Sequence, residues 1–160
     1  MKRRLIILFS ICSIFASCLK STETGCTYKD SAIVVPASEL TNLQAYVNAN
    51  HPAAIQHPGG FYYEINSAGN GTVTPGVCSN VTVTYAGYLT NGTKFDENTT
   101  GTTFTLGALI VGWQRGLSLI NSGGSINLYL PPSLGWGGNA NGAIPANSIT
   151  VFTIQLLVVQ

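Results

Sequence analysis

The sequence predicts an α+β domain in which one short helix interrupts a series of about five antiparallel strands. Several stretches alternate apolar or β-branched residues with polar ones, and residues 81–89 are the clearest of them. Stretches rich in glycine and asparagine separate these strands, as turns between antiparallel strands require. A single short run of helical character, residues 113–119, lies among them. No internal repeat is visible.

The first 17 residues predict an export signal. A basic stretch at residues 2–4 precedes an apolar run, residues 5–16, that ends in small residues before Cys18. The run is shorter than the ~20 residues that span a membrane. Small residues before a cysteine resemble the lipobox of bacterial lipoproteins, which makes Cys18 the predicted lipidation site, although Phe15 replaces the usual leucine. The alternative is an ordinary signal peptide cleaved near Ser17.

Composition excludes some classes of function. Without the signal, four cationic and six acidic residues remain, a net charge of about −2, whereas nucleic-acid binding needs clustered Lys and Arg. His51 and His57 have no cysteine or carboxylate at ligand spacing, so no metal site is predicted. In an exported chain, Cys26 and Cys78 suggest a disulfide, and two reduced cysteines are the alternative.

Residues 18–35 lack periodicity and predict a flexible tether between anchor and domain. Residues 36–60 predict a helical segment, with Ser38 as N-cap, Glu39 in the first turn and Pro52 as the stop. The apolar side chains at helical spacing predict one buried face, formed by Leu40, Leu43, Tyr46 and Val47.

Residues 61–160 predict the domain itself. Strands are expected at residues 61–65, 81–89, 94–96, 104–106, 125–130 and 148–159. Asn91-Gly92 predicts a tight turn after the second strand. Residues 98–103 and 131–147 are expected to be loops. The helix is expected at residues 113–119, with Leu117 and Ile120 facing inward and glycines past its end.

This order of motifs resembles the FKBP-type peptidyl-prolyl cis-trans isomerases over residues 61–160. The resemblance depends on many motifs in register, namely residues 83–89, 91–96, 104–107, 109–117, 130–133, 135–137, 143–148 and 151–157. It implies a twisted antiparallel sheet wrapped around the short helix, with a pocket between them. The signal and preceding helix resemble those of exported members of the family.

The resemblance also implies a set of site residues. Trp113 is expected to be the pocket floor and Asp96 a carboxylate at its edge, while the backbone N–H of Ile110 is expected to bind the substrate carbonyl. The expected catalytic residues are Tyr85, Phe95, Asp96, Trp113 and Phe152. The expected substrate-binding residues are Phe104, Leu109, Ile110, Trp136, Ala143 and Ile144.

Two of these residues depart from the pattern of the family. Trp136 stands where the family usually has a tyrosine that donates a hydrogen bond to the ligand, so ligand preference and rate are expected to differ. Ala143 replaces a larger apolar residue beside a loop about one residue shorter, which is expected to open one wall. For Asp96 the alternative is a structural role, hydrogen bonding to nearby backbone N–H groups.

The implied function is cis-trans isomerisation of X-Pro peptide bonds in exported proteins, without a cofactor. The expected partners are proline-containing polypeptides, with macrolides of the family as possible ligands, and the domain is expected to be a monomer. The expected location is the bacterial cell envelope, through the lipid anchor. One alternative is a weakly active or inactive binding or chaperone module, which Trp136 favours. Another is a surface lipoprotein that recognises glycans or host protein.

Overall fold

One six-stranded antiparallel sheet organises residues 25–160, the part of the chain that the computed structural model describes. The strand order is β1-β2-β5-β6-β3-β4. The strands are β1 (Ile55–His57), β2 (Phe61–Ser67), β3 (Asn80–Leu89), β4 (Lys94–Thr105), β5 (Ser125–Leu130) and β6 (Thr150–Val159). The helices are α1 (Ala37–Asn50) and α2 (Val111–Leu117), and two 3₁₀ turns cover Leu106–Ala108 and Pro132–Leu134. The predicted α+β class is confirmed.

The two helices pack on opposite faces of the sheet, and β5 shows why. Alternate residues of a strand point to opposite faces. Ile126, Leu128 and Leu130 belong to the main core together with Trp113 and Leu117 of α2. Tyr129 instead joins a second cluster with Leu43 and Val47 of α1. The main core therefore lies between α2 and the sheet.

Two glycines let α2 lie directly on β5. A Cβ at Gly112 would collide with the side chain of Leu130. A Cβ at Gly116 would lie 2.5 Å from Cδ1 of Leu128. The pair lies on one face of the helix because residues four apart are neighbours there. The helix begins and ends two residues before the predicted range 113–119, so Trp113 lies inside its first turn.

The prediction of a polar loop at residues 98–103 is wrong. These residues belong to β4, which runs from Lys94 to Thr105 and pairs with β3 on both sides of an unpaired stretch, residues 99–101. A register shift accommodates the polar sequence, with Gly101 at φ +97°. The Asn98 side chain accepts hydrogen bonds from the backbone N–H groups of Thr100 and Gly101. Asparagine and glycine therefore form an irregularity inside a strand rather than a loop.

Two further expectations about elements need correction. Strand β1 was not predicted, because three residues are too few to show a period. Helix α1 begins at Ala37, with Pro36 rather than Ser38 at the N-cap position. The predicted apolar face is correct: Leu43 and Val47 are buried, and Leu40 and Tyr46 are half-buried.

The chain before α1 forms no helix or strand from residue 25 to residue 36. It nevertheless contacts the domain, and Val35 is buried in the main core. The predicted signal, Cys18 and the first part of the predicted tether lie outside the described residues. Within residues 25–160, neither helix has the length and apolar character needed to cross a membrane.

Candidate active site

A cavity of about 220 Å³ lies between α2 and the sheet, and it collects most of the predicted site residues. Nine of the eleven line it: Tyr85, Phe95, Asp96, Phe104, Leu109, Ile110, Trp113, Trp136 and Phe152. They come from β3, β4, α2, β6 and the segments around the two 3₁₀ turns. Drug-sized ligands occupy pockets of ~300–1,000 Å³. The cavity therefore has the size for one ring with its flanking backbone.

Two predicted wall residues do not line the cavity. Ala143 is exposed, and Ile144 is buried but lies elsewhere. Both belong to a tight turn, because Asn141 and Ile144 exchange backbone hydrogen bonds of 2.9 Å in both directions. The turn fixes the direction of these side chains, and that geometry cannot be read from residue type.

Three aromatic rings form the base of the cavity. Trp113 is 5% exposed. Its ring centroid lies 5.1 Å from that of Tyr85 and 5.3 Å from that of Phe152, and both pairs meet edge to face. Aromatic pairs prefer this arrangement, because the positive ring edge meets the negative face. Trp113 is therefore packed between Tyr85 and Phe152 at the base of the cavity.

The opposite side is closed by Phe95 and Trp136. Phe95 meets Phe152 edge to face at 5.6 Å and Trp136 at 5.8 Å. Trp136 stacks on Phe152 at 6.3 Å and is half-buried. The Trp113 indole N–H is buried and has no hydrogen-bond partner among the described residues. Aromatic and aliphatic side chains make up most of the cavity lining, so a bound group would lose contact with water.

One polar pair stands at the rim. The Tyr85 hydroxyl donates a 2.8 Å hydrogen bond to Oδ2 of Asp96. Burial of the phenol, followed by this bond and the carboxylate charge, raises the pKa of Tyr85 to about 12. Tyr85 is therefore neutral at physiological pH. Asp96 is exposed, and the bond fixes its side chain beside the cavity.

The backbone N–H of Ile110 is a hydrogen-bond donor beside the cavity. Within residues 25–160, it makes no hydrogen bond. Ile110 is the N-cap of α2, and its carbonyl accepts from the N–H groups of Trp113 and Gln114. The Gln114 amide donates to the carbonyls of Gly107 (3.2 Å) and Leu109 (2.7 Å). These bonds hold the segment before α2, and they leave the Ile110 N–H available for a ligand.

Gln114 and Gly87 also support the site, although neither is among the predicted site residues. A Cβ at Gly87 would lie 2.6 Å from the ring of Phe95 and 2.8 Å from that of Phe152. A lone glycine inside a strand pattern is itself a signal of close approach. Nothing in the sequence shows that Gln114 would reach two carbonyls, because those contacts depend on the path of the preceding turn.

Cys26 and Cys78 form a disulfide in the structure. It links the segment before α1 to the segment before β3. The lipidation site predicted at Cys18 lies outside the described residues.

The chain is similar in sequence to proteins of one known family. The family of FKBP-type peptidyl-prolyl cis-trans isomerases matches residues 71–157. The chain is 44% identical over 101 residues to FKBP-type peptidyl-prolyl cis-trans isomerase FkpA of Buchnera aphidicola subsp. Schizaphis graminum, covering 61% of this chain and 40% of that protein. It is 38% identical over 104 residues to FkpA of Escherichia coli K12, covering 63% and 38%.

Solved structures agree with these sequence matches. The crystal structure of FkpA from Escherichia coli superposes with a TM-score of 0.69 at 34% identity, covering 78% of this chain and 60% of that chain. A peptidyl-prolyl cis-trans isomerase from Pseudomonas syringae pv. tomato superposes with a TM-score of 0.68 at 25% identity, covering 80% and 98%. The chain spans about two fifths of the length of the curated relatives it matches. By its matched residues and its fold, the chain belongs to the family of FKBP-type peptidyl-prolyl cis-trans isomerases.

Proposed function

We propose that this chain catalyses cis-trans isomerisation of X-Pro peptide bonds. The aromatic cavity over Trp113 carries the proposal, because its walls are apolar and its size suits a proline ring. Family membership supports the same reaction. Proline-containing polypeptides are the proposed substrates, and no cofactor is needed.

The physical reason lies in the peptide bond. Resonance opposes rotation about C–N with a barrier of ~18–20 kcal/mol. The two isomers of an X-Pro bond are close in energy, yet they exchange in tens to hundreds of seconds. Twisting the bond removes the resonance, so the carbonyl loses dipole and needs less solvation. An apolar site therefore favours the twisted amide over the planar one, which is differential binding of the transition state.

The cavity residues would have three different roles in this rotation. Trp113, Phe152 and Phe95 would enclose the proline ring and exclude water. The unpaired N–H of Ile110 would hold the substrate carbonyl on the far side of the proline and so fix one end of the rotating bond. Asp96, oriented by Tyr85, would lie at the edge beside the rotating amide. None of these roles requires a nucleophile.

A second function has one observation in its favour. Trp136 lines the cavity where the related enzymes usually carry a tyrosine hydroxyl. Its bulkier indole donates from a different position, so the cavity could bind proline segments and turn them over slowly. The chain would then act as a binding or chaperone module.

We also propose that Cys18 carries a lipid and that the domain is held in the bacterial cell envelope. The order of basic, apolar and small residues before Cys18 supports this proposal. Each buried methylene of a lipid chain contributes ~0.8 kcal/mol of membrane binding, and stable anchoring takes more than one chain. The clients would then be exported polypeptides.

A protease-coupled assay with a proline tetrapeptide tests the isomerase proposal on the purified full chain. We expect acceleration over the uncatalysed rate and inhibition by the macrolide ligands of the family. Trp113→Ala should abolish most of the activity, because it removes the floor. Asp96→Ala should reduce it in part, and the surface variant Val73→Ala, far from the cavity lining, should leave it unchanged. Peptide binding without acceleration would favour the binding module.

A further inference from the structure

The segment from Cys26 to Leu40, which we name the strap, lies outside residues 71–157 that match the family. It begins at the Cys26–Cys78 disulfide and ends in the first turn of α1. Along its course it touches three of the segments that carry cavity walls. Each contact is specific, and together they suggest a function for the strap beyond linking the domain to the rest of the chain.

The first contact is at the 3₁₀ turn Leu106–Ala108, which directly precedes wall residues Leu109 and Ile110. The N–H of Leu106 donates to the carbonyl of Ser79 (2.9 Å), and that of Gly107 donates to Val77 (2.8 Å). Cys78 lies between these two acceptors. One half of the disulfide therefore belongs to the segment that holds this turn.

The other half of the disulfide brings Tyr28 to the same turn. Tyr28 follows Cys26 by two residues, and its ring packs on the backbone of Gly107 so closely that a Cβ there would collide with it. Solvent still reaches this residue, since Tyr28 is 44% exposed. The turn before Ile110 is thus held by hydrogen bonds on one side and by an aromatic ring on the other, and the disulfide joins the two.

The second contact is at α2, the helix that carries Trp113. Arg115 donates hydrogen bonds to the strap carbonyls of Ser31 (3.0 Å) and Ile33 (2.8 Å). The same guanidinium donates to the carbonyl of Gly59 in the β1–β2 turn (2.7 Å). Hydrogen bonds from a charged donor are stronger than neutral ones, so this contact fixes the middle of the strap to the cavity helix.

The third contact is at the 3₁₀ turn Pro132–Leu134. Oε2 of Glu39 accepts a 2.9 Å hydrogen bond from the backbone N–H of Ser133, which precedes Trp136 by three residues. The turn that leads to the wall residue Trp136 is therefore also tied to the strap.

We propose that the strap positions the cavity walls, that Tyr28 is a positioning residue for the Ile110 wall, and that the Cys26–Cys78 disulfide keeps Tyr28 in place. Without the disulfide, Tyr28 is held at Gly107 by its exposed ring contact and, three residues further along the chain, by the Arg115 hydrogen bond to the carbonyl of Ser31. An exposed contact must outweigh the entropy of ordering the chain that makes it. Cleavage of the disulfide should therefore free Tyr28 and loosen the turn before Ile110.

The redox step is a simple exchange. A dithiol reductant supplies two electrons and two protons, the S–S bond breaks into two thiols, and the reductant becomes its own disulfide. Both cysteines are exposed, so a reductant can reach them. The proposal rests on the proposed function only for its activity readout, because ligand binding and fluorescence report on the cavity without turnover.

The first experiment compares Tyr28 variants in the oxidised full chain. Tyr28→Ala should lower kcat/KM by roughly tenfold, within the ~100-fold that a 1 Å misplacement can cost. Tyr28→Phe should restore the wild-type value, because the ring makes the contact and the described residues give the hydroxyl no hydrogen bond. Val34→Ala, at an 88% exposed strap position, is the matched control and should be unchanged. Equal values for Tyr28→Ala and wild type would overturn the positioning role.

The second experiment uses reciprocity between two coupled equilibria. If oxidation tightens binding of a proline tetrapeptide by some factor, the bound peptide must favour the oxidised form by the same factor. The oxidised fraction of Cys26 and Cys78 is measured in dithiol buffers by alkylation and peptide mass spectrometry, which separates them from Cys12 and Cys18. We expect saturating peptide to shift the dithiol ratio at half-oxidation, and no shift with a binding peptide would refute the coupling.

The third readout needs no ligand. Both tryptophans of the chain line the cavity, so their quenching by acrylamide reports on its walls. Reduction should increase quenching while the circular dichroism of the sheet stays unchanged, and unaltered quenching would count against the strap.

The isomerase proposal and the strap proposal can fail separately. A coupled but inactive chain refutes the isomerase, whereas an active chain indifferent to reduction and to Tyr28→Ala refutes the strap.

Discussion

Gly87 sets how closely the aromatic rings of the cavity approach strand β3. Its Cα faces the rings of Phe95 and Phe152, and an added methyl group would lie within 2.8 Å of both. Neither ring can retreat freely, because each also meets Trp136. The absence of a side chain at this position is therefore part of the site.

We expect Gly87→Ala to lower both activity and stability. Overpacking a core typically costs ~1–3 kcal/mol, and the displaced rings should lower kcat/KM by roughly tenfold or more, as a sub-ångström to 1 Å misplacement can. The coupled peptide assay and urea unfolding measure the two effects. Gly76→Ala is the matched control, because a Cβ there meets nothing within 4 Å. A Gly87→Ala enzyme with normal activity would show that the rings tolerate displacement.

Tyr85 should make stability depend on alkaline pH. In the unfolded chain a tyrosine titrates near 10, whereas burial and the bond to Asp96 raise the pKa of Tyr85 to about 12. The unfolded state therefore loses its proton first, and the stabilisation is complete below pH 10 and lost as the pH rises towards 12. The free energy of unfolding of the wild type should fall more steeply over this window than that of Tyr85→Phe. Parallel declines would contradict this prediction.

At the scale of elements, the contact between α2 and β5 positions the cavity floor. Trp113 lies on α2, and the distance of α2 from the sheet is set by Gly112 and Gly116. Alanine would raise helix propensity at either position by ~1 kcal/mol. The collision with Leu130 or Leu128 opposes this gain. Glycine in this helix therefore serves tertiary packing at the expense of local helix stability.

We expect Gly116→Ala to lower the free energy of unfolding by about 1 kcal/mol or more, because overpacking outweighs the propensity gain. In a double-mutant cycle the added cost should shrink when Leu128→Ala removes the opposing side chain. Gly138→Ala is the control, since its nearest neighbour atom would lie 3.7 Å away. Urea unfolding measures the free energies of unfolding of the wild type, the two single variants and the double variant. Strictly additive changes in free energy would argue against the contact between residue 116 and Leu128 as the cause.

At the scale of the whole molecule, the strap ties the segment before the domain to the cavity walls. The strap contacts the domain through the Cys26–Cys78 disulfide and three hydrogen bonds, two donated by Arg115 and one accepted by Glu39. The segments that form the cavity therefore also contact residues outside the range 71–157 that matches the family.

The lipid proposal gives a prediction at the same scale. Cys18→Ser should release the protein from sedimented membranes into the soluble fraction, because serine lacks the thiol that would carry the lipid. Immunoblotting of membrane and soluble fractions measures the change. Cys12→Ser, within the predicted signal, serves as the control and should leave the distribution unaltered. Continued sedimentation of Cys18→Ser would remove the lipid anchor from the proposal.

Patterns in the sequence were sufficient to predict the class of fold, the main strands, the buried face of α1 and nine residues that line one cavity. These features depend on local periodicity, on turn residues and on motifs at fixed spacing. Three features became evident only in the folded structure: residues 98–103 continue β4, Ile144 lies outside the cavity lining, and Tyr28 packs on Gly107. The pairing of β4 with β3 and the packing of Tyr28 on Gly107 join segments distant in the chain, so they depend on the partner segment as much as on the residues themselves. The direction of Ile144 depends on the backbone of its own turn, which residue type does not show.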